Sequence, residues 1–327
     1  MSLPKTRFSI SESGTGLAKP SLIIGSRGSP LALTQAETVR AAIIATGLVA
    51  ADDVVVRSIR TSGDRIADRP LRDVGGKSLF TKEIETAMLE GRVHLAVHSL
   101  KDVETVMPEA LTLAAVPERV DPRDALIAEP GMTLDTLPRG AIFGTSSLRR
   151  QSQVLARRPD IRVRLLRGNV GTRIDKVRSG EITASALAIA GLKRLGRAED
   201  AAGIIDPEIM LPAVGQGMLG LQTRRDNERM LDILSRLNHG ESFTAAQAER
   251  AMLAAVGGDC YTPIGGYATI EGDRLTLRGR LLSPDGRQVF EARREGTPGD
   301  AEAMGLDAGR ELRQAAGDHF FDLLKTG

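Results

Sequence analysis

The chain has 327 residues, 41% hydrophobic and 26% charged, enough for two or three domains with real cores. No apolar run approaches the ~20 residues of a membrane span, one cysteine excludes a disulfide framework, and 3% aromatics without tryptophan argue against single-stranded nucleic acid, whose bases stack on aromatic platforms. Net charge is only +2, yet 36 of the 44 basic side chains are arginine, whose planar fork grips carboxylate or phosphate through paired hydrogen bonds, so an anionic small molecule is the expected partner.

Residues 1–20 contain no apolar stretch of signal-peptide length, and their Ser, Gly and Pro content predicts a disordered extension on a cytoplasmic protein. Leu22–Ile24 reads as a strand, and Ser29-Pro30 supplies a cap and a first-turn proline for a helix over Leu31–Thr46. Val54–Ile59 alternates as a second strand. Residues 61–80 have no period, many charges and three glycines, which predicts a long mobile loop of the kind that forms lids. An amphipathic helix over Thr81–Leu89 precedes a strand, Val93–Val97, that runs into His98-Ser99-Leu100-Lys101-Asp102.

The same alternation then returns. Strands are expected over Asp124–Ala128, Ala141–Phe143, Ile161–Leu166 and Ala184–Ile189, with helices over Leu148–Arg158, from Thr172, and over Ala190–Leu195. Strands alternating with helices indicate α/β domains that bind ligand at the carboxyl ends of strands. The expected organisation is one α/β domain from 21–117 and 217–237, a second from 118–216, and Leu211–Gly217 as the hinge between them. A C-terminal α+β domain over 238–327 would hold a helix (Ser242–Val256), three strands split at Gly272-Asp273 and Pro284-Asp285-Gly286, and a last helix (Asp300–Leu324).

Basic side chains gather at strand ends and helix starts: Arg27, Lys101, Arg149, Arg150, Arg167, Arg173 and Arg194, with Ser29, Thr145, Ser146 and Ser147 as neutral donors. Backbone N–H groups and helix dipoles point into the same crevice from such positions, so a ligand with several anionic groups is implied. Asp102 is the odd member: an acid inside an anion site stabilises a developing cation or moves a proton. His98 competes for that role but ends an apolar strand, which favours a core histidine. Lys77, in the 61–80 loop, would reach an anion on closure. Cys260, in GGDCYTPIGG, has no thiol to pair with and no nearby histidines for a metal, and its flanking glycines favour presentation over packing.

These residues sit in motifs that resemble one family. SRGSPLAL (26–33), AVHSLKDV (96–103), DPRDA (121–125), GTSSLRRQ (144–151), RGNVGTR (167–173), AGLKRLG (190–196), LPAVGQG (211–217) and the cysteine loop are similar, in order, to porphobilinogen deaminases, also called hydroxymethylbilane synthases. The resemblance implies two domains like type II periplasmic binding proteins plus a small third domain, and a dipyrromethane cofactor joined by a thioether to Cys260. It implies condensation of four porphobilinogens with loss of ammonia, then release of hydroxymethylbilane. By residue, it implies catalysis by Asp102, cofactor binding by Lys101, Ser147, Arg149, Arg150, Arg173 and Arg194, and substrate binding by Arg27, Ser29, Arg167 and Lys77. A monomer is expected. Asp73, Glu104 and Thr183 depart from the family pattern. The rival reading, an anion-binding sensor or transport protein, shares the fold but needs neither Cys260 nor Asp102.

Overall fold

The computed structural model describes residues 22–65, 79–258 and 262–326. The expected N-terminal extension, Asp73, Lys77 and Cys260 lie outside these residues.

The chain opens with strand β1 (Leu22–Arg27), and Ser29 then caps helix α1 (Pro30–Ala45) by accepting from the Ala32 N–H at 3.3 Å. Strand β2 (Val54–Ile59), a short helix α2 (Ser62–Arg65), helix α3 (Lys82–Leu89), and strands β3 (Leu95–Ser99) and β4 (Leu111–Ala115) follow. Helix α2 falls where only loop was expected. It forms because the Ser62 N–H donates to Glu83 Oε1 (2.9 Å) and the Gly63 N–H to the Leu79 carbonyl (2.8 Å). The chain then builds β5 (Asp124–Ile127), β6 (Ile142–Gly144), α4 (Leu148–Arg157), β7 (Arg162–Arg164), α5 (Val170–Arg178), β8 (Ala184–Ala188), α6 (Ile189–Arg194) and β9 (Gly203–Ile204). Strand β10 (Leu219–Arg224) and helix α7 (Glu228–Ser235) return to the first unit.

The two sheets share one plan. The first runs β2-β1-β3-β10-β4 and the second β7-β6-β8-β5-β9. In each, the first three strands are parallel and the fourth is antiparallel to its neighbours. Parallel strands must be covered on both faces. Helices α1 and α7 do this on one side of the first sheet, through Val39, Ile43, Met230 and Ile233 against Leu22, Ile24 and Leu95, while Ile84, Ala87 and Met88 of α3 cover the other.

The third unit is an antiparallel meander of β11 (Ile264–Glu271), β12 (Arg274–Leu282) and β13 (Val289–Gly296), covered by helices α8 (Gly240–Val256) and α9 (Ala301–Thr326). The helices touch closely at Gly305 and Gly309, where an added Cβ would meet the Ala248 and Met252 carbonyls at 2.3 and 2.4 Å. Helix α9 is not the single rod expected over Asp300–Leu324. Gly317 breaks it with φ 73° and ψ 163°, a conformation only glycine adopts without strain.

Candidate active site

Parallel strands β1 and β3 end side by side, and their carboxyl ends deliver Arg27, His98 and Ser99 to one pocket. Ser29 and Gln35 of α1, Phe80, Thr81 and Asp102 complete its walls. The Arg27 guanidinium lies 4.1 Å from the Phe80 ring centre, and Gln35 Nε2 donates to Ser99 Oγ at 2.9 Å. Asp102 closes a 3-10 turn, Leu100–Asp102, whose Leu100 N–H donates to the Met218 carbonyl of the returning chain. His98 is buried and donates to Gln222 Oε1 (3.1 Å), and Gln222 in turn donates to Glu85 Oε1 (3.0 Å). Burial lowers the His98 pKa to about 4 against the opposing pull of Gln222 and Asp102, so it is neutral at physiological pH. It is the core histidine expected.

The second unit mirrors the first. Ser147 caps α4 by accepting from the Arg150 N–H, and Asn169 caps α5 by accepting from the Thr172 N–H. The expected helix start at Thr172 moves to Val170 because Asn169 is the cap. Arg149 and Arg150 are 4% and 6% exposed, which excludes solvated surface residues. Both close on Asp124: Arg149 Nη2 donates to Oδ2 (2.8 Å), and Arg150 Nη2 and Nε donate to Oδ1 (2.8 and 3.2 Å). Arg149 Nη1 donates to the Leu211 carbonyl at 2.8 Å. Both guanidiniums therefore turn toward Asp124, because a buried carboxylate requires partners, and Arg149 spends a further N–H on the Leu211 carbonyl. Burial alone would raise the Asp124 pKa, but Arg149, Arg150 and Lys101 outweigh it and hold the carboxyl well below the usual range.

Lys101 Nζ donates to Gln216 Oε1 (3.3 Å), and Gln216 Nε2 donates to the Pro122 carbonyl (2.7 Å) and Asp124 Oδ1 (3.2 Å). Burial, with Arg150 and Arg149 nearby, lowers the Lys101 ammonium to about 8 against the opposing Asp102 and Asp124 charges. Arg173 Nε donates to the Gly168 carbonyl at 2.9 Å. Burial and the Arg150 and Arg167 charges lower it to about 10, with Asp102 acting against them. Asp102 of the first unit and Arg150 and Arg167 of the second are therefore near enough for their charges to act on Arg173. Arg194 Nη2 donates to the Gly217 carbonyl at 3.0 Å, so it is tied to the expected hinge.

Asp124 and Gln216 are not among the functional positions expected from the sequence. An aspartate leading the apolar run Ala125-Leu126-Ile127 was the available signal, since a carboxylate there must be buried and therefore paired. Two of the three departures from the family pattern lie in the described residues and make backbone contacts. Thr183 Oγ1 accepts from the Ile142 N–H at 3.1 Å, and Glu104 offers its backbone carbonyl to Arg250. Helix α8 ends in a left-handed Gly257, which leads toward the cysteine loop. Among the described residues no His, Cys, Asp and Glu cluster could hold a metal, and no helix is long and apolar enough to cross a membrane.

A search of solved structures finds the periplasmic VFT2 domain of Bordetella pertussis BvgS at a TM-score of 0.41 and 14% identity, covering 67% of this chain and 86% of that one. Relatives are far closer in sequence. A porphobilinogen deaminase of Nitrobacter hamburgensis is 50% identical over 300 residues, 92% of this chain and 95% of its own length. One of Paracoccus denitrificans is 46% identical over 299 residues, 91% and 96%. Residues 22–232 match the family described as "Porphobilinogen deaminase, dipyromethane cofactor binding domain", and 243–314 match "Porphobilinogen deaminase, C-terminal domain". With both family models matched in order along the chain and relatives 50% identical over 92% of it, the chain belongs to the porphobilinogen deaminase family.

Proposed function

We infer that this protein is a hydroxymethylbilane synthase: it joins four porphobilinogens head to tail, each losing ammonia, and releases linear hydroxymethylbilane for tetrapyrrole biosynthesis. The observation that carries the assignment to this site is the pocket at the ends of β1 and β3, where Arg27, Ser29 and Asp102 meet, with the adjacent Lys101 linked through Gln216 to Asp124 and its two arginines. Each pyrrole bears an acetate and a propionate, so a growing chain accumulates carboxylates that desolvated arginines bind strongly. Arg173 has no ion pair among the described residues, and burial, with the Arg150 and Arg167 charges, lowers its pKa. That donor set fits a dipyrromethane held there, with Lys101, Ser147, Arg150, Arg173 and Arg194 around its carboxylates and Arg149 acting through Asp124. When bound, the cofactor supplies the free pyrrole carbon to which the first substrate is joined.

Asp102 has the opposite task. A fixed carboxylate in a partly dry crevice stabilises the positive charge that develops on porphobilinogen as ammonia departs, and it accepts a hydrogen bond from pyrrole nitrogen. Arg27 and Ser29, on the same pocket wall, suit the substrate's carboxylates, as does Lys77. His98, neutral and hydrogen-bonded to Gln222, shapes the pocket without titrating. Cys260 is the expected attachment point, and the units 21–117 with 217–237, 118–216 and 238–327 are the working domains. A cytoplasmic monomer is the state this reading assigns. Intact mass of freshly purified protein under denaturing conditions tests it: an excess equal to one dipyrromethane is expected, and bare sequence mass with no product from porphobilinogen would overturn it.

A further inference from the structure

Helix α8 packs against the three-stranded sheet, yet Arg250 on it reaches out of that unit. Its Nη1 donates to the Val103 carbonyl at 3.0 Å and its Nη2 to the Glu104 carbonyl at 2.6 Å. These are the two carbonyls that directly follow Asp102. Among the described residues no carboxylate pairs with Arg250, and burial lowers its guanidinium to about 10. A partly buried cation held only by carbonyls is a costly way to dock two surfaces, because an apolar side chain of similar length would do so without desolvating a charge. What the guanidinium adds is geometry: a planar fork with two N–H groups aimed at successive carbonyls fixes both peptide planes.

The other end of the same turn is also held. The Leu100 N–H donates to the Met218 carbonyl and the Val103 N–H to the Leu100 carbonyl. Asp102 lies between these anchors, on a segment too short to relax independently of either. The neighbouring residue on α8, Glu249, accepts from the Gly215 N–H (2.7 Å), the Ala268 N–H (2.8 Å) and Arg119 Nη1 (2.7 Å). Successive residues of one helix therefore hold the Asp102 turn and the crossover between the two α/β units.

We propose that Arg250 is a positioning residue for the condensation reaction, setting the direction of the Asp102 carboxylate from the helix that leads to the cysteine loop. This rests on the reading that Asp102 stabilises the reacting cation. The experiment compares Arg250→Met, Arg250→Lys, Asp102→Asn and the Arg250→Met/Asp102→Asn double variant as purified holoenzymes. Primer content comes from intact mass, stability from thermal unfolding, and kcat and KM from porphobilinogen turnover. Misplacing a catalytic group by about an ångström costs up to ~10²-fold. Arg250→Met is therefore expected to lose about tenfold or more in kcat, with KM within about twofold and primer content as in the parent, and Arg250→Lys to recover part of the loss. The double variant is expected to be no slower than Asp102→Asn alone, since both changes act on one group. Parental kcat in Arg250→Met, or losses that multiply in the double variant, would overturn the proposal. So would a lysine variant whose rate loss follows its unfolding midpoint. If Arg250→Met does not fold, Arg250→Lys with and without Asp102→Asn decides by the same comparison. Parental turnover in Asp102→Asn would instead remove the reading of Asp102 itself.

Discussion

Replacing Asp124 by asparagine tests whether the paired arginines of the second unit are held as the structure shows. The side chain is fully buried and accepts hydrogen bonds from Arg149, Arg150 and Gln216. Asparagine keeps the shape and one acceptor oxygen but strands two buried guanidiniums, and breaking a buried pair from one side costs about 3–5 kcal/mol. At about 2.1 cal/mol/K of unfolding entropy per residue, a chain of this length loses about 1.5 °C per kcal/mol, which gives a midpoint lowered by roughly 4–7 °C. The sign with pH follows from the depressed carboxyl. Its stabilisation is present above the unfolded pKa and is lost only as the pH falls through the lower folded value, so the gap between parent and variant persists at all pH values above about 4. Thermal unfolding followed by circular dichroism reads the midpoint, and intact mass reads primer content. A midpoint within a degree of the parent would refute the reasoning. So would an Asp124→Asn/Arg149→Met double variant that is as destabilised as the two single changes added together, because removing the stranded cation should restore part of the loss.

Cys260→Ser is expected to fold, show no added mass and give no colour with a pyrrole reagent, since the hydroxyl lacks the soft nucleophile that forms a thioether; full activity would sink the attachment site. Asp102→Asn is expected to retain the cofactor mass but lose about 10²-fold or more in turnover, about 3 kcal/mol, as measured by single-turnover formation of substrate adducts. Lys101, lowered to about 8 in the absence of the cofactor's carboxylates, gives up its charge as pH rises through that value, so cofactor uptake by cofactor-free protein, read by intact mass, is expected to weaken above pH 8. The same weakening in Lys101→Met would assign the titration to another group.

Local chemistry made the first half of each unit legible. Ser29-Pro30 names the start of α1 and Val54–Ile59 reads directly as β2, because capping and alternation act over a few residues. Strands β4 and β10 and helix α7 went unread as elements, although 217–237 was assigned to the first unit. Leu219–Arg224 is a strand chiefly because β3 and β4 flank it, and those partners lie more than a hundred residues upstream. The site divided along the same line. Arg27, Ser29 and Asp102 sit in recognisable turns and do share a pocket. The inward turn of Arg149 depends on Asp124 and the Leu211 carbonyl, contacts that no local pattern encodes.

A net charge of +2 conceals how the cations are distributed. Arg173 and Lys101 each have a folded pKa below the usual value, so the charged form of each is less favourable in the folded protein than in the unfolded chain. Folding alone does not explain retaining them. Leucine or methionine would pack there without desolvating a charge, and removing a repelling neighbour would relieve Arg150 and Arg173 of each other. A polycarboxylate bound in the crevice reverses that balance, because each carboxylate facing Arg173 or Lys101 supplies the opposing charge that, among the described residues, comes from Asp102 and Asp124. Those two carboxylates differ in placement. Asp124 is buried and committed to its arginines, whereas Asp102 is half-buried and lines the pocket, where its charge acts on what is bound. Separating the acid that organises the cations from the acid that faces the substrate lets the crevice hold anions tightly while presenting one carboxylate to a developing cation.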